Sequence, residues 1–363
     1  MRIAVDAREL VGKPTGVGRY LSELIARWSV DPDAARHEWR FYMHETMPLP
    51  TAFASAGEIV PGDGGTRWEQ WTLPRALGRA RPDVLFAPGY SAPFASPCPT
   101  AVTIHDVSFF AHPAWFSPRE GLRRRHVTAW SARRAAIVLT DTAFSRDEIV
   151  RHIGIPAQRI RVIPPGLSAP LTPAAGEREL QILFVGSLFR RRHVDRLIAA
   201  FAESIALRVP ASRLVIVGED RTYPPFDFDA QIAGYAPDVR KRMTLTSFVD
   251  QRELARLYST AAVFVFPSEY EGFGFTPLEA LASRIPPIVL DTPVAREVYG
   301  PAARYVSLDL SGHSELADAV VELLTNNVAR DAVLRHADEV LGRYDWNRAA
   351  AATLRAIEAA AGV

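Results

Sequence analysis

Two carboxylates bracket a glycine-rich stretch in Pro267-Ser-Glu-Tyr-Glu-Gly-Phe-Gly-Phe-Thr-Pro-Leu-Glu-Ala-Leu-Ala282. Glu271 and Glu279 stand on either side of Gly272, Phe273, Gly274, Phe275 and Thr276. Without a Cβ, Gly272 and Gly274 let the backbone come close to a ligand. Thr276 followed by Pro277 reads as the N-cap and first residue of a helix. The N–H groups of a first helical turn lack helical partners and suit a phosphate. Carboxylates beside them suit the hydroxyls of a sugar or ribose. A plainer reading stays open, because Thr276-Pro-Leu-Glu279 is also a capping box in which Glu279 only bonds back to the Thr276 N–H.

Three other places carry candidate chemistry. In Phe184-Val-Gly-Ser-Leu-Phe-Arg-Arg-Arg-His193 an apolar strand ends at Gly186 and Ser187, and three arginines precede a helix. Guanidinium forks bind phosphate bidentately and stay charged at every working pH. Arg191 and Arg192 therefore read as a diphosphate clamp, and equally as a solvated basic helix start. Pro14-Thr-Gly-Val-Gly-Arg-Tyr20 joins a strand to a helix, with Leu21 where the third glycine of a dinucleotide fingerprint would stand. Gly16 and Gly18 then mark either a loop that approaches a ligand or a tight connection. Val102-Thr-Ile-His-Asp-Val-Ser-Phe-Phe110 is a strand ending in His105 and Asp106, where an open α/β sheet places ligand-binding groups. A lone histidine there also serves in packing.

Trp68, Glu69 and Trp71, and Trp115-Phe116 with Arg123–Arg125, fit core packing or contact with an acceptor or lipid head group. Asp227-Phe-Asp229 reads as a surface loop and Asp31-Pro-Asp33 as a turn. No His, Cys, Asp or Glu grouping has metal-ligand spacing, so no metal is expected. The missing Gly-x-Ser-x-Gly elbow disfavours a serine hydrolase.

Positioning such groups takes a sizeable scaffold, and 363 residues allow two domains. With 48% hydrophobic and 23% charged residues the chain is globular. No apolar run approaches the roughly 18 residues of a membrane helix, and Met1-Arg-Ile-Ala-Val-Asp6 reads as a strand rather than a signal peptide. Cys98 is the single cysteine, which excludes an intrachain disulfide and points to the cytoplasm. Net charge is +1, with +5 on residues 1–170 and −4 on the rest. The basic first half suits an anionic acceptor or membrane surface, or is an ordinary solvated surface. No basic stripe interleaved with aromatics suggests nucleic acid.

Short apolar runs alternate with helical stretches, which predicts α/β layers on parallel sheets. Strands are expected at Arg2–Val5, Arg40–Met43, Val84–Ala87, Ala101–Ile104, Ile137–Thr140 and Ile160–Ile163. After a linker at Pro164–Gly176, rich in proline, come Gln181–Val185, Arg213–Val217, Met243–Thr246, Val263–Phe266 and Pro287–Leu290. Helices are expected between them, among them His193–Ala206, Asp331–Leu341 and a last one over about Trp346–Ala361.

The stretch from Pro267 to Ala282 closely resembles the signature of glycosyltransferase family 4, the retaining GT-B glycosyltransferases. That signature is Pro-Ser-x-x-Glu-Gly-Phe-Gly-x-x-x-Leu-Glu-Ala-x-Ala. Arg191 and Arg192 fall where the family has Arg-Lys, and His193 on its Asn or Gly. The Gly16/Gly18 loop, the His105 strand and Asp291–Ala303 also match. Arg284-Ile-Pro-Pro287 stands where the family has Gly-x-Pro-Val, so the signature helix must close without that glycine.

The resemblance implies two doubly wound Rossmann-like domains facing a cleft. Residues 1–168 would bind acceptor and 177–342 donor, and helix 343–363 would cross back to the first domain. It implies a retaining, metal-independent hexosyltransferase using a nucleotide sugar, with no cofactor. Glu271 would contact the sugar, Glu279 the ribose and His105 the transferred sugar. Donor contacts would extend over Gly16, Gly18, Gly186, Ser187 and Gly272–Thr276. Trp68, Glu69, Trp71 and Asp106 are the acceptor candidates. Likeness of the His105 strand to bacterial mannosyltransferases points to GDP-mannose, with a glycan or lipid-linked acceptor in surface polysaccharide synthesis. The expected location is cytoplasmic, with peripheral membrane contact. An epimerase or sugar phosphorylase of the same fold, or a non-catalytic nucleotide-sugar binding protein, remains open.

Overall fold

A computed structural model describes residues 1–12, 15–168, 178–307 and 314–362. Lys13, Pro14, most of the expected linker (169–176), Glu177 and Val363 lie outside the described residues. The chain forms two units: Met1–Ala111 with Arg119–Gly166 and Tyr344–Val363, and Leu167–Arg343 with His112–Pro118.

The first unit is built on seven parallel strands. They are β1 (Arg2–Asp6), β2 (Glu38–Met43), β3 (Gly57–Ile59), β4 (Val84–Ala87), β5 (Thr100–Thr103), β6 (Ile137–Thr140) and β7 (Ile160–Val162), in the order β3-β2-β1-β4-β5-β6-β7. The second unit has β8 (Gln181–Val185), β9 (Arg213–Val217), β10 (Met243–Thr246), β11 (Val263–Phe266), β12 (Pro287–Leu290) and β13 (Arg304–Val306), in the order β10-β9-β8-β11-β12-β13. Every strand pairing is parallel.

The central strands read as apolar runs because helices cover both faces. Ile3, Ala4, Val5, Leu85 and Phe86 of the first sheet are fully buried, as are Ile182, Leu183, Phe184 and Phe264 of the second. Each large apolar side chain so buried contributes about 1.5–3 kcal/mol. Strand order reverses between β1 and β4 and between β8 and β11. A doubly wound sheet binds ligands at the carboxyl ends of the strands flanking that reversal. In the second unit those ends lead into Gly186 on one side and Pro267–Glu271 on the other.

The helix Trp346–Ala361 belongs to the first unit. It buries Trp346, Ala349, Ala350, Thr353, Leu354, Ile357 and Ala360, a stripe at helical spacing. Trp28 donates its indole N–H to the Ala350 carbonyl at 3.0 Å, and His37 pairs with Glu358 at 3.0 Å.

Three expectations need correction. β3 and β13 are short edge strands whose pattern is too weak to read. The stretch His193–Ala206 is not one α-helix: His193 is left-handed, an α-helix spans Val194–Ala200, and a π-turn follows over Phe201–Ile205. Asp331–Leu341 divides into Asn327–Leu334 and Ala337–Leu341.

Candidate functional site

In the second unit, β11 delivers the chain into the loop Pro267–Gly274, and a helix follows at Phe275–Ala282. The expected cap is wrong by two residues. Gly274, at φ +88°, is the N-cap, Thr276 lies inside the helix, and the capping residue has no side chain to bond the first turn. A Cβ on Gly274 would fall 2.2 Å from the Tyr299 hydroxyl, which donates to the Gly274 carbonyl at 3.0 Å. Glycine is therefore required there for both backbone angle and space. The capping box fails with the cap, since the Thr276 hydroxyl has no partner and Glu279 instead accepts from Tyr258 at 3.3 Å. The far end of the helix closes as a Schellman motif. Ile285 N–H donates to Ala280 O and Arg284 N–H to Leu281 O, with Arg284 at φ +57° in the family's glycine position.

Across the reversal, β8 runs through Gly186 and Ser187 to a 3₁₀ turn at Arg190–Arg192. Arg192 reaches back to the β11 loop, where its Nε donates to Glu271 Oε1 at 2.7 Å and its Nη1 to the Ser187 carbonyl at 3.0 Å. Its guanidinium also lies 4.9 Å from the Phe266 ring centre. Ser268 donates to the same Glu271 oxygen at 2.9 Å. Burial alone would raise the Glu271 carboxyl, but Arg192 and Arg191 and the bonds from Arg192 and Ser268 hold it below the ordinary value. Glu271 is thus a carboxylate at neutral pH. Arg191 stacks on Phe189 at 4.2 Å, its Nε buried without an acceptor, and its carbonyl accepts from Glu269 N–H. A small pocket of about 10 Å³ lies behind the loop, lined in part by Glu271, Phe273, Thr292 and Tyr299. The structure so brings Gly186, Ser187, Arg191, Arg192 and Glu271 together beside the start of the Phe275–Ala282 helix, the end of a helix that suits an anionic group.

The first unit gives a different account of its candidates. His105 follows β5, and its Nδ1 lies 2.8 Å from Asp141 Oδ2 and its Nε2 3.0 Å from the Pro88 carbonyl. Both partners are acceptors, so the ring donates from both nitrogens and is held as the imidazolium. Burial would lower its pKa, but Asp141 above all raises it past the usual imidazole value. Neither ring nitrogen is left for a sugar in this arrangement. Asp106 accepts from the Tyr90 hydroxyl at 2.9 Å and from Ser108 N–H at 2.8 Å.

Thr15, not a glycine, caps the Gly16–Trp28 helix by accepting from Gly18 N–H at 2.9 Å. A Cβ on Gly18 would fall 2.4 Å from the Glu9 carbonyl, whereas one on Gly16 would meet nothing within 4 Å. Gly18 is explained by packing and Gly16 is not. Trp68 is buried, with its indole N–H on the Val60 carbonyl at 2.6 Å, so it is a packing residue rather than an acceptor contact. Glu69 is also buried, held by Arg8 at 2.6 Å and Ser91 at 2.5 Å. Arg8 further faces Asp6 at 3.4 Å, and burial pushes the Asp6 carboxyl up to about 6 against the pull of Arg8. Only Trp71 of the four acceptor candidates is exposed, at 57%. Sequence reasoning missed Asp141, Tyr258 and Tyr299, since nothing local links them to their partners 21 to 36 positions away, and it passed over Ser268, which lies only three positions before Glu271.

Known proteins resemble both halves of the chain. Residues 15–169 match the model described as Glycosyltransferase Family 4, and residues 172–339 that described as Glycosyl transferases group 1. The chain is 27% identical over 246 residues to the O-antigen chain mannosyltransferase RfbU of Salmonella typhimurium, covering 68% of this chain and 65% of the relative. It is 30% identical over 242 residues to a D-inositol 3-phosphate glycosyltransferase of Paenarthrobacter aurescens, covering 61% and 56%. The chain thus spans just under two thirds of the first relative and little over half of the second. Among solved structures, Anabaena Alr3699/HepE in complex with UDP-glucose superposes with a TM-score of 0.73 at 18% identity over 98% of this chain and 99% of that one. WaaG, a glycosyltransferase involved in lipopolysaccharide biosynthesis, gives the same TM-score, identity and coverage. These likenesses show the fold, which is the GT-B class. With the two family models spanning both halves and the signature carboxylates set at the sheet reversal, the chain belongs to glycosyltransferase family 4.

Proposed function

We propose that the protein transfers a hexose from a nucleoside-diphosphate sugar to a glycan or lipid-linked acceptor, with retention and without a metal. The observation that carries this reading is the Arg192–Glu271 pair at the reversal of the second sheet, 2.7 Å across and beside the start of the Phe275–Ala282 helix. Arg191 and Arg192 would take the diphosphate, supplying the positive charge that a cation supplies elsewhere as the glycosidic bond breaks. Glu271 Oε1 already accepts from Arg192 and Ser268. Its Oε2 takes neither bond and would accept a hydroxyl of the donor sugar. Glu279 would hold the ribose.

Mannose from GDP-mannose is the favoured donor, because two relatives are O-antigen chain mannosyltransferases. A UDP-sugar is the second reading, favoured by likeness to a structure that holds UDP-glucose. The test is a thermal-shift screen of GDP-, UDP- and ADP-sugars, followed by product analysis with and without acceptor. A bound donor at a hundredfold excess over its dissociation constant stabilises by about 2.7 kcal/mol. Turnover that needs an acceptor, keeps the anomeric configuration and survives a chelator supports the proposal. Conversion of donor alone would make the protein an epimerase, loss of turnover with chelator would refute the metal-free clamp, and binding without turnover would leave a sugar-nucleotide binding protein.

We further propose a cytoplasmic site of action with peripheral contact to an anionic membrane. No helix among the described residues is long and apolar enough to cross one. The arginine-rich helix Pro118–Arg134 exposes Leu122, Arg123 bonds Thr66, and Trp71 of the same unit is exposed. Arg123 and Arg124 share Glu120, so this face keeps net positive charge among exposed apolar side chains, which suits anionic head groups. Co-sedimentation with phosphatidylglycerol vesicles, but not with phosphatidylcholine vesicles, checks this.

A further inference from the structure

His112–Pro118 groups with the second unit although the chain on both sides of it belongs to the first. Its imidazole and indole form a stack. His112 lies on Trp115 with ring centres 3.9 Å apart and planes 8° apart. Both rings then meet Tyr270 edge to face, His112 at 5.4 Å and 74° and Trp115 at 6.3 Å and 72°. Tyr270 is 4% exposed, and the next residue is Glu271. On its other side the loop is tied by the Arg192–Glu271 pair at 2.7 Å, by Glu269 N–H on Arg191 O at 2.9 Å and by Ser268 Oγ on Tyr270 O at 3.3 Å. Pro113 and Pro118 restrict the segment at both ends.

We infer that His112 and Trp115 form a strap that fixes the Glu271 loop through Tyr270, and so act as positioning residues for the donor sugar. This rests on the donor-site reading above. Edge-to-face aromatic contacts are directional, so the stack sets where the Tyr270 ring, and with it the backbone of Glu271, can sit. A carboxylate that must accept from a sugar hydroxyl tolerates displacement of only about 0.5 Å. The nucleoside diphosphate depends instead on Arg191, Arg192 and Glu279. Loosening the strap therefore weakens recognition of the sugar while leaving that of the nucleotide.

The experiment is calorimetric titration of wild type, Trp115→Ala, His112→Ala and Trp115→Phe with GDP and GDP-mannose, or with UDP and UDP-glucose if the screen selects that pair. Trp115→Ala is expected to bind the nucleotide sugar about tenfold more weakly and the free nucleotide within about twofold of wild type. Trp115→Phe, which keeps a ring edge, is expected to recover most of the loss. His112→Ala carries the same comparison if Trp115→Ala does not fold. Alanine variants that bind both ligands like wild type, or lose both equally, overturn the strap. A wild-type protein that binds no nucleotide sugar overturns the donor-site reading, and the strap with it.

Discussion

Replacing Arg192 with alanine strands a buried charge, and the size of the effect follows from the structure. The pair is 2.7 Å across with side chains 14% and 13% exposed. Removing one partner of a buried pair costs about 3–5 kcal/mol, because the other is left without a countercharge. Ser268 still donates to Glu271 and the site has a solvent edge, so the low end, about 3 kcal/mol, applies. For a unit of this size each kcal/mol lowers the thermal midpoint by about 2–4 °C, giving a fall of about 6–12 °C. Without Arg192 the strongest influence holding the Glu271 carboxyl down is gone, so the variant's donor affinity falls at higher pH than the wild type's as the solution is acidified. In the wild type Glu271 titrates below the ordinary carboxyl value. The pair's stabilisation is present above the carboxyl's unfolded value and is lost as pH falls through the lower folded one. Loss of a charge-assisted contact to diphosphate weakens donor binding by a further factor of about 10–100. Calorimetric titration and thermal denaturation, with Glu271→Gln and the double variant to close the cycle, read all three effects. A midpoint within about 2 °C of wild type together with donor affinity within twofold refutes both the pair and the clamp.

Raising pH through the elevated folded pKa of His105 removes the imidazolium, so the first unit should lose stability above pH 6.5, and Asp141→Asn should abolish that slope in denaturation curves. Gly274→Ala should cost about 1–3 kcal/mol and weaken donor binding, since the backbone is left-handed and the Tyr299 hydroxyl occupies the space. Arg284→Gly should stabilise by about 1 kcal/mol or less in chemical denaturation, relieving a left-handed arginine at the loss of an exposed ion pair to Asp338. Leu354→Ala, which empties a buried position where the last helix meets the first sheet, should cost about 2–5 kcal/mol.

The candidate site was legible where chemistry is written in neighbouring residues. Glu271, the glycines beside it and the arginine run lie in short contiguous stretches, and strand ends can be found from apolar runs. The helix cap was misread because Thr276-Pro277 carries the right local signal, whereas the Tyr299 hydroxyl and Gly274 carbonyl decide where the helix starts. His193–Ala206 looked continuous because a π-turn leaves the apolar pattern intact while widening one turn. For Trp68 and Glu69 the sequence left core packing and acceptor contact both open, because the partners that decide for burial, Val60, Arg8 and Ser91, lie 8, 61 and 22 positions away.

By itself the order of residues determined the α/β class, the two-part organisation and which side chains carry charge or flexibility, because apolar period, proline and glycine act over a few residues. Only the folded sheets decided that Arg192 neutralises Glu271, that His105 is spent on Asp141 and Pro88, and that Trp115 leans on Tyr270. Those outcomes are set by which strand ends lie side by side, and parallel pairing joins residues separated by tens of positions through distances that no local spacing encodes.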